Sequence, residues 1–264
     1  MEWWLGYLAI GAAAGFFAGL LGIGGGSIIV PLLVMLFDAQ GLPKEQLLHL
    51  AVGSGMATIV ITSMASVRAH AARGAIRWDL AASITPGIIV GGLVGSAITS
   101  VIPRGLFAAL FTAVVYIAAT HTLIGRVPKA SRQAPGMLGM FAAGFVISAV
   151  SAFAAIGGAF MTIPFLMYCN VPILQAIGTA AAVGFPIALA GSIGYIVTGM
   201  DVAGLPAPSI GYIYLPPLAG IVIASVITAP LGAALAHSLP TKRLKQIFAV
   251  LLYVLATRML ITLL

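Results

Sequence analysis

The stretch Gly22–Leu33, GIGGGSIIVPLL, returns as Ala155–Leu166, AIGGAFMTIPFL. Gly24, Gly25 and Pro31 match Gly157, Gly158 and Pro164 at one constant offset. Farther along, Pro103, Phe111, Tyr116, Thr120 and Ile124 match Pro240, Phe248, Tyr253, Thr257 and Ile261 at a second constant offset. Between them, Ala51-Val52-Gly53-Ser54 answers Ala176-Ile177-Gly178-Thr179, the extra residues of the first half falling in a polar loop. The chain therefore carries one module twice.

Hydrophobic residues make up 61% of the 264 residues and charged residues 6%. A soluble domain needs about a quarter of its residues charged, so lipid or buried protein surrounds most side chains here. A span takes roughly 20 apolar residues, which leaves room for about ten membrane segments and almost no extramembrane domain. Glu2 stands where a signal peptide would carry a basic stretch, and the first apolar segment has a counterpart near Met137–Ala154, so it is expected to be a structural helix. The single Cys169 forbids an internal disulfide and reads as packing.

The apolar runs are Trp3–Leu21, Ser27–Phe37, Leu50–Val67, Leu80–Ile102 and Leu106–Ile124, then Met137–Ala154, Ala159–Cys169, Ile173–Val197, Ile213–Ala236 and Leu244–Leu264. Backbone groups in hydrocarbon must be paired within their own segment, so these are helices. The expected fold is all-α integral membrane, with about ten segments in two inverted five-segment repeats. Residues 1–126 form the first repeat, 127–135 a cytoplasmic linker and 136–264 the second repeat. The second segment of each half is about 17 Å long at ~1.5 Å per residue, too short to span, and predicts a broken or re-entrant helix.

An odd number of segments per repeat makes the second copy enter from the opposite face. With both termini outside, Arg68, Arg73, Arg77, Arg126, Lys129, Arg132, Lys242, Arg243 and Lys245 fall on the cytoplasmic side, a strong positive-inside bias. The net charge of +7 then reads as topology and contact with anionic membrane lipid, with no nucleic acid partner.

Paired interrupted helices meeting near the midplane are the architecture of secondary transporters, whose helix N-termini offer unpaired N–H groups to an anion. Gly24, Gly25, Gly26 and Ser27 in one hairpin, and Gly157 and Gly158 in the other, are the expected substrate-binding turns. Glycine there permits chain reversal, positive φ and close ligand approach. Ser27 is expected to cap the first short helix and Thr162 to add a hydroxyl one turn into the second. The alternative is that these glycines only allow tight helix packing. A dinucleotide-binding turn fails, since the spacing is not GxGxxG and no strand precedes it.

Gly53-Ser54 and Gly178-Thr179 place a hydroxyl at equivalent points of both halves, able to bond an oxyanion without burying a charge. The competing reading is a hydroxyl bonded back to its own helix. Gln175, four residues before Thr179, shares its helical face and joins the candidate set. Arg68, His70, Arg73 and Arg77 mark topology or line a vestibule that attracts anions. His121 and Arg258 read as snorkelling side chains. His49 and His237 sit at predicted helix ends, and Asp79 is expected to pair with Arg77. No acidic residue is predicted at membrane depth, no catalytic constellation such as HExxH is present, and no metal or cofactor is implied.

The twin blocks GIGGGSIIVPLL and AIGGAFMTIPFL, followed by AVGS and AIGT, together with the paired terminal helices, resemble the TauE/SafE sulfite exporter family, also called toluenesulfonate uptake permeases, over essentially the whole chain. The resemblance implies a multi-pass inner-membrane exporter of small organosulfur anions such as sulfite, sulfoacetate or another sulfonate, coupled to a proton or sodium gradient. It implies that the glycine turns and the AVGS/AIGT hydroxyls face the substrate. The second block departs from the first where Ala159-Phe160 replaces Gly26-Ser27. An anion channel, or less readily an intramembrane enzyme, is the alternative function.

Overall fold

A computed structural model describes residues 3–21, 25–124, 133–236 and 241–263. Among them ten helices follow in order: α1 Trp3–Leu21, α2 Gly26–Ala39, α3 Leu47–Ala71, α4 Trp78–Val101, α5 Arg104–Ile124, α6 Met137–Ala154, α7 Ala159–Tyr168, α8 Ile173–Gly199, α9 Leu215–Ala236 and α10 Thr241–Leu263. A small antiparallel hairpin, β1 Ser209–Ile210 and β2 Ile213–Tyr214, leads into α9. The run expected as helix from Ile213 therefore begins with a strand, because Gly211 at φ +53° turns the chain and the hairpin satisfies the backbone before the helix starts.

Seven helices, α3, α4, α5, α6, α8, α9 and α10, contain stretches long and apolar enough to cross a membrane. The protein is a multi-pass membrane protein. With 14 and 10 residues, α2 and α7 reach only about 21 and 15 Å, short of the ~30 Å hydrocarbon layer. Each has a proline six residues in, Pro31 and Pro164, which cannot donate to the carbonyl four residues back. Ser27 and Phe160 thus keep a carbonyl free of that helical bond close to the turn. Much of the linker expected at 127–135 lies outside the described residues.

Side-by-side packing follows the repeat. Helix α1 runs along α9, α4 along α6, α5 against α10 and α3 against α8. Helices in lipid gain little from burying apolar surface against one another, so close backbone approach must supply the attraction. A Cβ on Gly11 of α1 would strike the Ile221 carbonyl of α9 at 2.5 Å, and Gly144 of α6 lies equally hard against the Ile84 carbonyl of α4. At the far ends, Gly232 packs on the Phe16 carbonyl, and Gly95 sits 2.8 Å, measured from a built Cβ, from the Ala149 carbonyl. Between α5 and α10, Tyr116 hydrogen-bonds Thr257 while Tyr253 hydrogen-bonds Thr120. Each contact in one half is answered by its repeat-equivalent in the other.

Gly91 lies in the middle of the α4–α6 seam, where an added Cβ would meet the backbone of Phe145. Gly91→Val is expected to cost about 1–3 kcal/mol through overpacking. Thermal unfolding in detergent checks this, with Gly105→Ala as the control, since nothing lies near a Cβ at Gly105. An unchanged melting temperature for Gly91→Val would contradict the seam.

Candidate functional site

The two hairpin turns meet. Helix α6 is capped at its C-terminus by Ala155, whose φ of +47° is the left-handed conformation, uncommon and strained for a residue with a Cβ. That turn aims the Ala155 carbonyl into the first residue of α2, so closely that any side chain at Gly26 would overlap it. Ala155, Gly157 and Gly158 reverse the chain, with Gly158 at φ +71° capping α7. In the first turn Gly25 caps α2 in an ordinary right-handed conformation. Ser27, expected as that cap, is instead the second residue of the helix and buried. Gly24 lies outside the described residues.

Beside this junction opens a cavity of about 480 Å³. Gly25 and Gly157 both line it, as does Ala159 at the start of α7. Its walls come from α1, α3, α8 and α9. Helix α3 presents Thr58, Thr62 and Ser66 on successive turns and His70 toward its last turn, while α9 adds Ser225. The cavity thus runs from the hinges toward the end of α3 that enters the Arg73–Arg77 loop.

Several of its hydroxyls have spent their protons. Thr58 donates to the Ser54 carbonyl at 2.9 Å, Thr62 to the Thr58 carbonyl at 3.2 Å and Ser225 to the Gly11 carbonyl at 2.9 Å. Their oxygens can still accept. In the first turns, Ile28 N–H donates to the Gly25 carbonyl at 3.0 Å and Met161 N–H to the Gly158 carbonyl at 3.1 Å, which leaves the N–H groups of Gly26, Ser27, Ala159 and Phe160 without a partner within their own helix, at the positive end of each helix dipole. None of the described residues lining the cavity is acidic.

Gly53, Ser54, Gly178 and Thr179 lie elsewhere. A Cβ on Gly53 would sit 2.5 Å from the Tyr212 carbonyl, and Ser54 Oγ accepts the Tyr214 N–H at 2.9 Å. Gly178 lies hard against the Ala75 carbonyl, and Thr179 Oγ1 accepts the Arg77 N–H at 3.0 Å. Tyr214 and Arg77 each directly precede the fourth helix of the opposite half. Each Gly-hydroxyl pair is a dock for the backbone segment that leads into the fourth helix of the other half, and neither pair borders the cavity. Gln175 is half-buried one turn before Thr179 and also off the cavity. Thr162 is fully buried in α7, its hydroxyl without a hydrogen-bond partner.

Thr58, Thr62, Ser66 and Ser225 are not among the residues that the sequence pattern singles out. The four-residue spacing of Thr58, Thr62 and Ser66 was the available signal. His49, expected only at a helix end, is buried with Nε2 2.9 Å from the Thr99 carbonyl and its ring stacked on Tyr212 at 4.9 Å. Arg77 pairs with Asp79 at 2.6 Å as expected, both groups exposed, so the pair adds little to stability. His121 packs edge-on against Phe160, centroids 5.5 Å apart.

A family model described as sulfite exporter TauE/SafE matches residues 7–259. The chain belongs to the TauE/SafE family. It is 36% identical over 253 residues to a "Probable membrane transporter protein" of Haemophilus influenzae, covering 96% of each chain. A "Probable membrane transporter protein" of Methanocaldococcus jannaschii is 28% identical over 262 residues, 96% of this chain and 94% of that one. "Probable membrane transporter protein YdhB" of Bacillus subtilis is 27% identical over 192 residues, 70% of this chain and 76% of its own. No solved structure matches. Membership makes this a membrane transport protein.

Ser54→Ala and Thr179→Ala each leave one backbone N–H without its acceptor, at a cost of about 1 kcal/mol. Hydrogen exchange at the Tyr214 and Arg77 amides is expected to quicken roughly fivefold in the respective variant. Unaltered exchange at both sites would remove the docking role.

Proposed function

We propose that the protein is a secondary transporter, an exporter by family analogy, of a small organosulfur oxyanion such as sulfite, sulfoacetate or another sulfonate. It works by alternating access between two inverted repeats, 1–126 and 136–264, joined by 127–135. The observation that carries the reading is the meeting of two glycine-interrupted helices beside a cavity that both hinges line. The exchange of equivalent contacts between the halves supports the repeat. Basic residues gathered at one end of the helices support an inner-membrane topology with both termini outside and the cavity facing the cytoplasm.

The chemistry of the wall fits this cargo. A sulfite or sulfonate head is held by backbone amides and dipoles at the hinges, where no fixed counter-charge has to be buried. Apolar residues such as Ile29, Ile59 and Ile163 leave room for an organic tail. Oxygens of Thr58, Thr62 and Ser225, whose protons are already committed, suit a sodium ion carried with the anion better than they suit a proton relay. A channel would use the same donors, so flux must distinguish the two.

Gly157 offers a clean test, because a Cβ there meets only Ile59 at 3.6 Å and the backbone keeps its ordinary φ range. Gly157→Leu is expected to fold and fill the junction, cutting anion flux into proteoliposomes by about a hundredfold or more, as displacement of a positioned group does. Wild-type flux in Gly157→Leu would end the assignment of the junction. Wild-type uptake of sulfite or sulfoacetate is expected to saturate and to require a sodium gradient. Linear, gradient-independent flux would make the protein a channel, and dependence on a proton gradient alone would overturn the sodium assignment.

A further inference from the structure

Positions that border empty space in one half of the protein touch each other in the other half. Gly15, Ser66 and Ala229 line the open cavity. Their repeat counterparts, taken at the offsets that align Gly24 with Gly157, Gly53 with Gly178 and Pro103 with Pro240, are Ser148, Gly191 and Gly92. These three are in contact. A Cβ on Gly92 would lie 2.9 Å from Ser148 Oγ and 3.4 Å from the Gly191 nitrogen. The same collapse is seen along the seam between α4, α6 and α8. Thr62 lines the cavity, whereas its counterpart Ile187 presses on Gly158. Ala181 lines the cavity, whereas its counterpart Met56 lies 3.0 Å from a Cβ on Gly191. His70 stands at the cavity's far end, whereas its counterpart Tyr195 is wholly buried and donates to the Ala152 carbonyl at 2.9 Å.

Two buried side chains, Ser148 in this closed seam and Thr162 of α7 beside Gly158, have no reason to be polar in the conformation observed. Ser148 and Thr162 are fully buried, and neither hydroxyl has a hydrogen-bond partner. A buried hydroxyl without a partner is uncommon and needs an explanation. Thr162 is the counterpart of Ile29, and Ser148 of Gly15, both cavity residues. Each orphaned hydroxyl therefore stands where the other half has open space.

From this correspondence we infer that a second vestibule, closed in this conformation, runs along the α4–α6–α8 seam. It opens to the membrane face opposite the first and offers the Ser148 and Thr162 hydroxyls as donors to the same small oxyanion. The inference rests on the transporter reading above. When the seam parts, Gly92 separates from Gly191 and Ser148, Met56 and Tyr195 swing clear, and both hydroxyls gain solvent or ligand. When it closes, Gly15, Ser66 and Ala229 come together and the cytoplasmic cavity is lost. Small residues at all six positions let either seam close backbone to backbone.

Thiol accessibility tests this without knowledge of the cargo. In a Cys169→Ala background, the full chain carrying Ser66→Cys or Ser148→Cys is labelled in oriented membrane vesicles with a membrane-impermeant methanethiosulfonate. Ser66→Cys is expected to react from the face of the Arg73–Arg77 loop. Ser148→Cys is expected to react only from the opposite face, slower by about ten- to a thousandfold because it is exposed only in a minor state. Bridging a Ser66→Cys/Ala229→Cys pair by oxidation closes the first cavity, and should raise the Ser148→Cys rate to that of an exposed thiol. Reaction of Ser148→Cys from the same face as Ser66→Cys, no reaction from either face, or a bridged pair that leaves its rate unchanged would each overturn the second vestibule. Sulfite and sulfonate flux is a separate measurement. Opposite-face labelling without such flux would leave the vestibule standing and remove the cargo, whereas saturable flux with an inert Ser148→Cys would do the reverse.

Discussion

The contact between the Ala155 carbonyl and Gly26 is the constraint on which the centre of the protein depends. An interrupted helix in a membrane leaves backbone groups that lipid cannot solvate, so the interruption must be covered by protein or face a wet cavity. Here both happen at once. Ala155 turns left-handed and pushes its carbonyl against α2, which brings the two interruptions together and lets each shield part of the other. What they leave uncovered faces the cavity beside Gly25 and Gly157. A side chain at Gly26 would force the turns apart and expose both sets of amides to hydrocarbon.

Around that centre, stability comes from fit more than from apolar burial. Because α1 and α4 each lie along a helix of the other half, neither set of five can be complete alone. The docking of Tyr212–Tyr214 on Gly53-Ser54, and of Ala75–Arg77 on Gly178-Thr179, makes the dependence explicit. Each long central helix receives the backbone that launches the other half's fourth helix. A hydroxyl in place of a charge suits this position, since it satisfies a single N–H without a desolvation penalty for an ion.

Much of this was legible in the residues. The bounds of α1 and α6 coincide with the expected segments, because long apolar runs end at Gly-rich breaks whose signal is strong. The short α2 and α7 were visible for the same reason. The role of Ser54 and Thr179 was not, although their pairing was. Symmetry identifies equivalent positions but does not say whether they face a cavity or a neighbouring chain segment, and the partners Tyr214 and Arg77 lie far away in sequence. The α9 hairpin was hidden because Ile213 and Tyr214 are as apolar as the helix that follows. Ser27 failed as a cap since burial against the core let the helix begin earlier, at Gly26.

The departure of Ala159-Phe160 from Gly26-Ser27 follows from the same contact. Gly26 has to be glycine because a carbonyl occupies the space its side chain would need. Ala159 carries a methyl group and borders the cavity instead, so its neighbour Phe160 is free to fill the gap between α7 and His121 of α5. The asymmetry also matches the state of the molecule. The α9 side of the junction is open, where a small residue and accepting oxygens line the wall, and the α4 side is closed, where Met56, Ile187 and Tyr195 take up the space. The proposed alternation requires that neither seam be much more stable than the other. Under that proposal the unpaired hydroxyls of Ser148 and Thr162 would serve the balance, because a buried donor without a partner weakens the packing around it.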